Sequence, residues 1–160
     1  MSFLEINLKK LTHNYKYLRS LLDPNVRMMG VIKANAYGSL IEVIANKLIA
    51  LGIEALAVAY VSEGVALRKA GIKVPILVFY PQIRNFEKII KYKLEPAIYS
   101  KRSWLEFKKI IGKNGNSNYP IHIKYNTGLN RIGFNPNEIN WVIAELKHSP
   151  IRLKSIYSHL

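Results

Sequence analysis

Short apolar runs alternate along the chain with segments in which apolar residues recur every three or four positions. An apolar run bounded by turn residues is typical of a buried strand, whereas a spacing of three and four marks one face of a helix. The pattern predicts six strands, at residues 28–32, 55–60, 75–80, 96–99, 121–125 and 151–157.

Helix-capping residues stand before several of the helical segments. Asn7 precedes apolar residues at positions 8, 11, 15, 18 and 22, and Ser100 precedes a segment that extends to about residue 111. Ser39 and Glu42 have the spacing of a capping box before the helix that follows the first strand. Asn135, followed by a proline, has the same position before the last helix. Two more helices are predicted at residues 62–70 and 84–93.

This alternation of buried strands and helices favours a parallel α/β fold. No glycine-rich dinucleotide fingerprint follows the first strand, which disfavours a Rossmann fold. A (β/α)8 TIM-type barrel has eight strands and usually about 250 residues. The six predicted strands and the 160 residues therefore indicate about six β/α units of such a barrel. We expect one incomplete barrel domain over residues 1–160, which ends shortly after its sixth strand.

Composition excludes several classes of protein. The chain has no cysteine, so it has no disulfide, no thiolate metal site and no cysteine nucleophile. His13, His122 and His148 have no metal-ligand spacing, and we expect no metal. The first residues do not have the pattern of a secretory signal, and no apolar run is long enough to span a membrane. We therefore expect a soluble, cytoplasmic protein with no membrane partner.

The net charge is +14, from 24 Lys and Arg against 10 Asp and Glu. Such a balance can indicate a nucleic-acid partner. The lysines are, however, scattered in ones and twos along the predicted helices, without a dense basic run. We interpret them as solvated surface and expect no nucleic-acid partner. A basic binding module without catalysis remains the alternative from a different class of protein.

Side chains that can carry chemistry follow three of the predicted strands. Lys33 and Tyr37 come after the first strand, Arg131 follows the fifth, and His159 follows the sixth. Catalytic groups in barrels lie at the C-terminal ends of the strands, so we expect these four side chains to share one face.

Lys33 is the most informative of these residues, because it lies at the end of a fully apolar strand. A partly desolvated lysine loses its proton more easily, and a neutral amine can attack an aldehyde and form a covalent C=N bond. From position alone, we favour a lysine whose ammonium extends from the strand end into solvent, and the covalent role stays open beside it.

The segment that leaves the first predicted strand, residues 31–38, reads Val-Ile-Lys-Ala-Asn-Ala-Tyr-Gly. It resembles the pyridoxal-phosphate (PLP) attachment motif of the alanine racemase family, and residues 11–15 fit the first helix of that family. Residues 63–71, 122–134 and 156–160 resemble later segments of the same family in order and spacing. The similarity extends over essentially the whole chain.

The resemblance implies a role for each matching residue. Lys33 would bind the aldehyde of PLP and act as one of two catalytic bases. Tyr37 would contact the cofactor phosphate, and His159 would pack against the pyridine ring. Arg131 would reach the phenolic oxygen of the cofactor and the carboxylate of the substrate. Lys124 matches a lysine that some members carry as a carbamate, although it is equally interpreted as an ordinary strand lysine.

The resemblance also implies an activity for the intact protein, the interconversion of L-alanine and D-alanine for peptidoglycan precursors. In the family the second base comes from a C-terminal β-domain across a homodimer interface, so we expect residues 1–160 alone to be inactive. Ser39-Leu40 and Asn126 depart from the usual family pattern. The alternative within the fold is a PLP-binding barrel without racemase activity, such as a PLP-homeostasis protein.

Overall fold

A single sheet of six parallel strands organises the molecule. The structure, a computed structural model, describes residues 3–115 and 117–159, so Leu160 of the last resembling segment lies outside it. The strands are in chain order, and neighbours in the sequence are neighbours in the sheet. They are β1 (Met29–Val31), β2 (Ala55–Val58), β3 (Ile76–Val78), β4 (Glu95–Ile98), β5 (Tyr119–Lys124) and β6 (Ile151–Tyr157).

A helix precedes β1, and a helical segment follows each of the first five strands. They are α1 (Leu8–Ser20), α2 (Lys33–Gly38), α3 (Ile41–Ala50), α4 (Val61–Lys69), α5 (Phe86–Lys91), α6 (Lys101–Lys113) and α7 (Ile139–Lys147). Short 3₁₀ turns, Ile83–Asn85 and Pro136–Glu138, lead into α5 and α7. Parallel strands in chain order with a helix in each crossover are the arrangement of a TIM-type barrel. The predicted α/β fold is confirmed, and the described residues contain six parallel strands of such an arrangement.

The capping residues explain where two of these helices begin. The Asn7 side chain accepts the Lys10 N–H at 3.0 Å, and Ser100 Oγ accepts the Ser103 N–H at 3.2 Å, as the sequence predicts. The predicted capping box of Ser39 and Glu42 is wrong. The residue before α3 is Leu40, whose φ of 61° is left-handed and which makes no side-chain cap bond.

Two apolar layers lie on opposite faces of the sheet. Alternate strand residues point to opposite faces. One set packs under the helices around large buried side chains such as Trp104 and Phe107. The other set is small, with Ala57, Leu77 and Ala97 packed beside Phe79 and Tyr157 on the inner face.

A polar network lies at the N-terminal end of this inner face. Glu95, only 8% exposed, has its two oxygens 2.6 Å from the Lys154 ammonium and 2.8 Å from His122 Nε2. The other ring nitrogen of His122 is 2.7 Å from Ser155 Oγ. Burial alone would raise the pKa of Glu95, but the hydrogen bonds from His122 and Lys154 outweigh burial and lower it.

One arginine joins the C-terminal ends of α4 and α5. The Arg68 guanidinium donates to four backbone carbonyls at 2.8–3.1 Å, those of Ile72, Val74, Tyr92 and Lys93. These carbonyls lie in the loops that enter β3 and β4, so Arg68 fixes both loops at once. Within residues 3–115 and 117–159, no helix combines the length and apolar character needed to cross a membrane.

Candidate active site

A cavity of about 310 Å³ opens at the C-terminal ends of β1, β3, β5 and β6. Five predicted site residues line it, which places all of them around one space. They are Lys33, Tyr37, Lys124, Arg131 and His159. The remaining lining residues are Val31, Phe79, Tyr80, Ile132, Tyr157 and Ser158. The cavity has three cationic side chains and, among the residues that the structure describes there, no carboxylate.

The chain leaves β1 through one turn of left-handed helix. Ala34, Asn35, Ala36 and Tyr37 have φ between 52° and 55°. A left-handed helical conformation costs an L-residue roughly 1–2 kcal/mol, and asparagine tolerates it best. Lys33, which precedes this turn, therefore lies next to strained backbone that its surroundings must hold in place.

Hydrogen bonds from outside and inside the turn stabilise it. The Ala36 N–H donates to the Ile32 carbonyl at 2.9 Å, and the Ser39 N–H donates to the Asn35 carbonyl at 2.9 Å. The Asn35 side chain accepts the Ile41 N–H at 2.9 Å. This bond takes the place of the predicted capping box, because the left-handed turn carries Asn35 to the start of α3.

Glu63, which the sequence analysis did not single out, contacts the same turn. Its Oε1 accepts the Ala34 N–H at 2.6 Å, and its Oε2 accepts the Ala59 and Tyr60 N–H groups at 2.8 and 2.9 Å. A glutamate in the first turn of a helix suits the bond to Tyr60, and this could have been read from the sequence. The bond to Ala34 joins residues 29 positions apart and has no local signal.

Lys124 lies deep in the cavity at the end of β5. It is 5% exposed, and its ammonium lies 5.2 Å from the centre of the Tyr157 ring. Burial lowers the pKa of Lys124, and the positive charge of Arg131 lowers it further. A lysine in this setting forms the neutral amine more readily than an exposed lysine does.

Arg131 is carried by a tight loop between β5 and α7. Asn126 holds the loop, since its side-chain oxygen accepts the Gly128 and Asn130 N–H groups at 3.2 and 3.1 Å. The Arg131 guanidinium lies 5.9 Å from the centre of the Tyr80 ring, within the range of a cation–π contact. Asn126 departs from the family pattern, yet its side chain organises this loop.

The other lining residues differ in how firmly they are held. The Tyr37 side chain is 66% exposed at the rim, and His159 is exposed as well. Tyr157 is half-buried, and burial raises the pKa of its phenol. Its buried hydroxyl has no hydrogen-bond partner within the described residues. Ser158 donates to the Tyr125 carbonyl at 3.0 Å and so ties the end of β6 to the Arg131 loop.

Three aromatic residues that line the cavity are not predicted from the sequence: Phe79, Tyr80 and Tyr157. Phe79 and Tyr80 directly follow β3, and Tyr157 is the last residue of β6. The rule that strand ends carry the site could have found them. Aromatic residues at strand ends are, however, common in cores, so the rule alone would not have separated them from packing residues.

Comparison with known proteins gives a consistent result. A family model described as "Alanine racemase, N-terminal domain" matches residues 6–160. Alanine racemase from Nostoc sp. is 33% identical over 165 residues, which cover 99% of this chain and 42% of that protein. Alanine racemase 2 from Clostridium acetobutylicum is 35% identical over 161 residues, which cover 97% of this chain and 40% of that protein.

Solved structures agree with these sequences. Alanine racemase from Clostridium difficile 630 matches with a TM-score of 0.91 at 34% identity, over 97% of this chain and 41% of that chain. The same protein is also known in complex with cycloserine, with the same TM-score and identity. The chain therefore spans about two-fifths of the length of the relatives that it matches.

Proposed function

This chain belongs to the alanine racemase family, and we propose that it forms the cofactor-holding part of a PLP-dependent alanine racemase. The observation that carries the proposal is the single cavity in which Lys33 meets Tyr37, Lys124, Arg131 and His159. We further propose that residues 1–160 make up the first six β/α units of a barrel domain. Its relatives are more than twice as long, so the activity of the whole protein is part of the proposal.

The lining of the cavity fits PLP, which is an aromatic aldehyde with an anionic phosphate. Arg131 keeps its positive charge at any ordinary pH, Lys33 is a second basic side chain, and the described lining residues include no carboxylate, so the cavity favours an anion. The buried Tyr157 hydroxyl, which has no partner among the described residues, can bond to a polar atom of a ligand. Lys33 would hold the aldehyde carbon, Tyr37 the phosphate, Arg131 the phenolic oxygen and His159 the ring face.

When bound, PLP withdraws electrons and so stabilises negative charge at the α-carbon of an amino acid. The protein must then move a proton at that carbon, from one face to the other. We assign proton transfer on one face of the α-carbon to the Lys33 amine. Arg131 would orient the substrate carboxylate, and its contact with the Tyr80 ring supports a fixed guanidinium. Lys124 is buried near Arg131 and would orient its guanidinium. It would do so as a carbamate, the form in which some family members carry this lysine.

We assign the proton donor of the opposite face to residues outside this chain. Since this chain covers only 41–43% of the length of its solved relatives from Clostridium difficile, the proposal is that it does not racemise alanine by itself. The intact protein would be a cytoplasmic homodimer with alanine as its substrate. A relative known in complex with cycloserine supports a ligand of small size.

Covalent trapping tests the cofactor assignment. The purified chain is incubated with PLP and then with borohydride, and the modified peptide is identified by mass spectrometry. We expect the reduced adduct on Lys33 in the wild type and in a Lys109→Ala control, whose lysine is exposed on α6. The Lys33→Ala chain should carry no adduct in the cavity. An aldehyde absorbance shift of equal size in Lys33→Ala and wild type would contradict the assignment.

A chimera tests the activity. Residues 1–159 are joined to the part of the Clostridium difficile relative that follows the matching region, and D-alanine formation from L-alanine is measured. We expect activity in the chimera, none in its Lys33→Ala form and none in the 160-residue chain. A chimera that binds PLP at Lys33 but leaves alanine unchanged would favour a PLP-binding barrel without racemase activity.

A further inference from the structure

We propose that Glu63 is the positioning residue that sets the direction in which Lys33 points into the cavity. The inference rests on the proposed function, because it concerns the lysine that would hold the cofactor. Glu63 is not among the residues that line the cavity, and so it would act only through the backbone of the turn after Lys33.

The decisive contact is the hydrogen bond from the Ala34 N–H to Glu63 Oε1, at 2.6 Å. This N–H belongs to the peptide group that joins Lys33 to Ala34. Because a peptide group is planar, a bond to its N–H fixes the plane and with it the backbone angle that follows the Lys33 α-carbon. The direction of the Lys33 side chain is therefore coupled to the place of one carboxylate oxygen.

The other oxygen of Glu63 fixes the carboxylate itself. Oε2 accepts two backbone N–H groups, from Ala59 and Tyr60, where β2 leads into α4. These donors directly follow β2, the strand next to β1 in the sheet. The carboxylate thus links the strained turn after β1 to the segment after β2, and through it β2 would set the position of Lys33.

Three donors on two oxygens require a carboxylate rather than an amide. An ionised carboxylate accepts at both oxygens, whereas glutamine presents one acceptor oxygen and an NH₂ group that only donates. Glu63→Gln therefore keeps the size of the side chain but leaves one set of N–H groups opposite a donor. The first residue of the left-handed turn, Ala34 with φ of 52°, is then free to relax.

The experiment compares the wild type with Glu63→Gln, Glu63→Asp and a control, Glu42→Gln. Glu42 is an exposed glutamate in the first turn of α3, without a side-chain hydrogen bond or ion pair in the part of the chain that the structure describes. The first readout is hydrogen exchange of the Ala34 amide, measured by NMR without cofactor. We expect exchange at least about tenfold faster in Glu63→Gln, because a charge-assisted hydrogen bond is lost, and no change in the control.

The second readout is the rate at which PLP and borohydride modify Lys33, divided by the rate for the exposed Lys109 in the same sample. We expect this ratio to fall about tenfold in Glu63→Gln, as for a displaced reacting group, and to recover in part in Glu63→Asp, which keeps the carboxylate. A general loss of stability would speed hydrogen exchange at many amides. A positioning role changes only the exchange of the Ala34 amide and the reactivity of Lys33, and it leaves the circular dichroism spectrum unchanged.

The outcomes separate the two proposals. Unchanged exchange at Ala34 in Glu63→Gln overturns the positioning role, and so does faster exchange at Ala34 with an unchanged ratio for Lys33. A wild-type chain in which Lys33 reacts no faster than Lys109 overturns the proposed function instead. Fast reaction of Lys33 in the wild type and the control, with slow reaction in Glu63→Gln, supports both.

Discussion

Replacing Ala34 with glycine should stabilise the protein, although the same change weakens ordinary helices. Ala34 has φ 52° and ψ 51°, and its side chain is exposed. Glycine removes the left-handed penalty of roughly 1–2 kcal/mol that an L-residue bears there. It also adds backbone entropy to the unfolded chain, which costs roughly 0.5–1 kcal/mol. The expected net effect of Ala34→Gly is a gain of about 0–1.5 kcal/mol in the free energy of unfolding.

Ala66→Gly is the matched control. Ala66 is an exposed alanine in the middle of α4, where the backbone is right-handed, and so it loses the same methyl group without relief of strain. We expect Ala66→Gly to lower the free energy of unfolding by about 0.5–1 kcal/mol. Urea titration of the two variants and the wild type measures both changes. Destabilisation of Ala34→Gly by as much as Ala66→Gly would refute the left-handed turn as the source of strain.

Two further predictions concern stability away from the cavity. Arg68→Met should lower the free energy of unfolding by about 2–4 kcal/mol, because four carbonyls lose a charged donor. Urea titration measures this change. The control is Arg102→Met, which replaces an exposed arginine and should be nearly neutral. Because the folded pKa of Glu95 is lowered, its contribution to stability is complete above the unfolded value of about 4.5 and is lost as the pH falls through the folded pKa. The free energy of unfolding should fall between pH 7 and pH 3, and the fall should be smaller in Glu95→Gln. An equally steep fall in Glu95→Gln would show that Glu95 is not its source.

Local signals in the sequence were sufficient for the strand and helix order. The sixth strand was predicted at residues 151–157, and the structure has β6 at Ile151–Tyr157. The pattern predicts the first strand at residues 28–32, and the structure has a shorter strand, Met29–Val31. The Ile32 N–H still donates to the Ala57 carbonyl of β2, but its ψ of 29° is no longer that of a strand. Caps at Asn7 and Ser100 were readable because the bonds that they make span only three residues.

Signals that depend on distant residues could not be read in the same way. The spacing of Ser39 and Glu42 fits a capping box, but the backbone at this point has just left a left-handed turn, and Asn35 takes the first free N–H of α3. Four consecutive left-handed residues that include two alanines contradict local preference. Their conformation depends on Glu63, 29 positions from Ala34, which no local window includes.

The chain order of the strands has a consequence for how the molecule folds. Every strand pairs only with the strand before it or after it in the sequence, and Met29 of β1, for example, pairs with Ala55 of β2, about 26 residues away. The paired strands are therefore separated by one β/α unit of sequence, and each parallel pair must close a crossover of that length before its contacts form. The sheet can therefore nucleate at any neighbouring pair of strands and grow one β/α unit at a time, in the way that repeat proteins do. During synthesis this growth can follow the emerging chain from β1 towards β6, so that each new strand finds the edge it needs already formed.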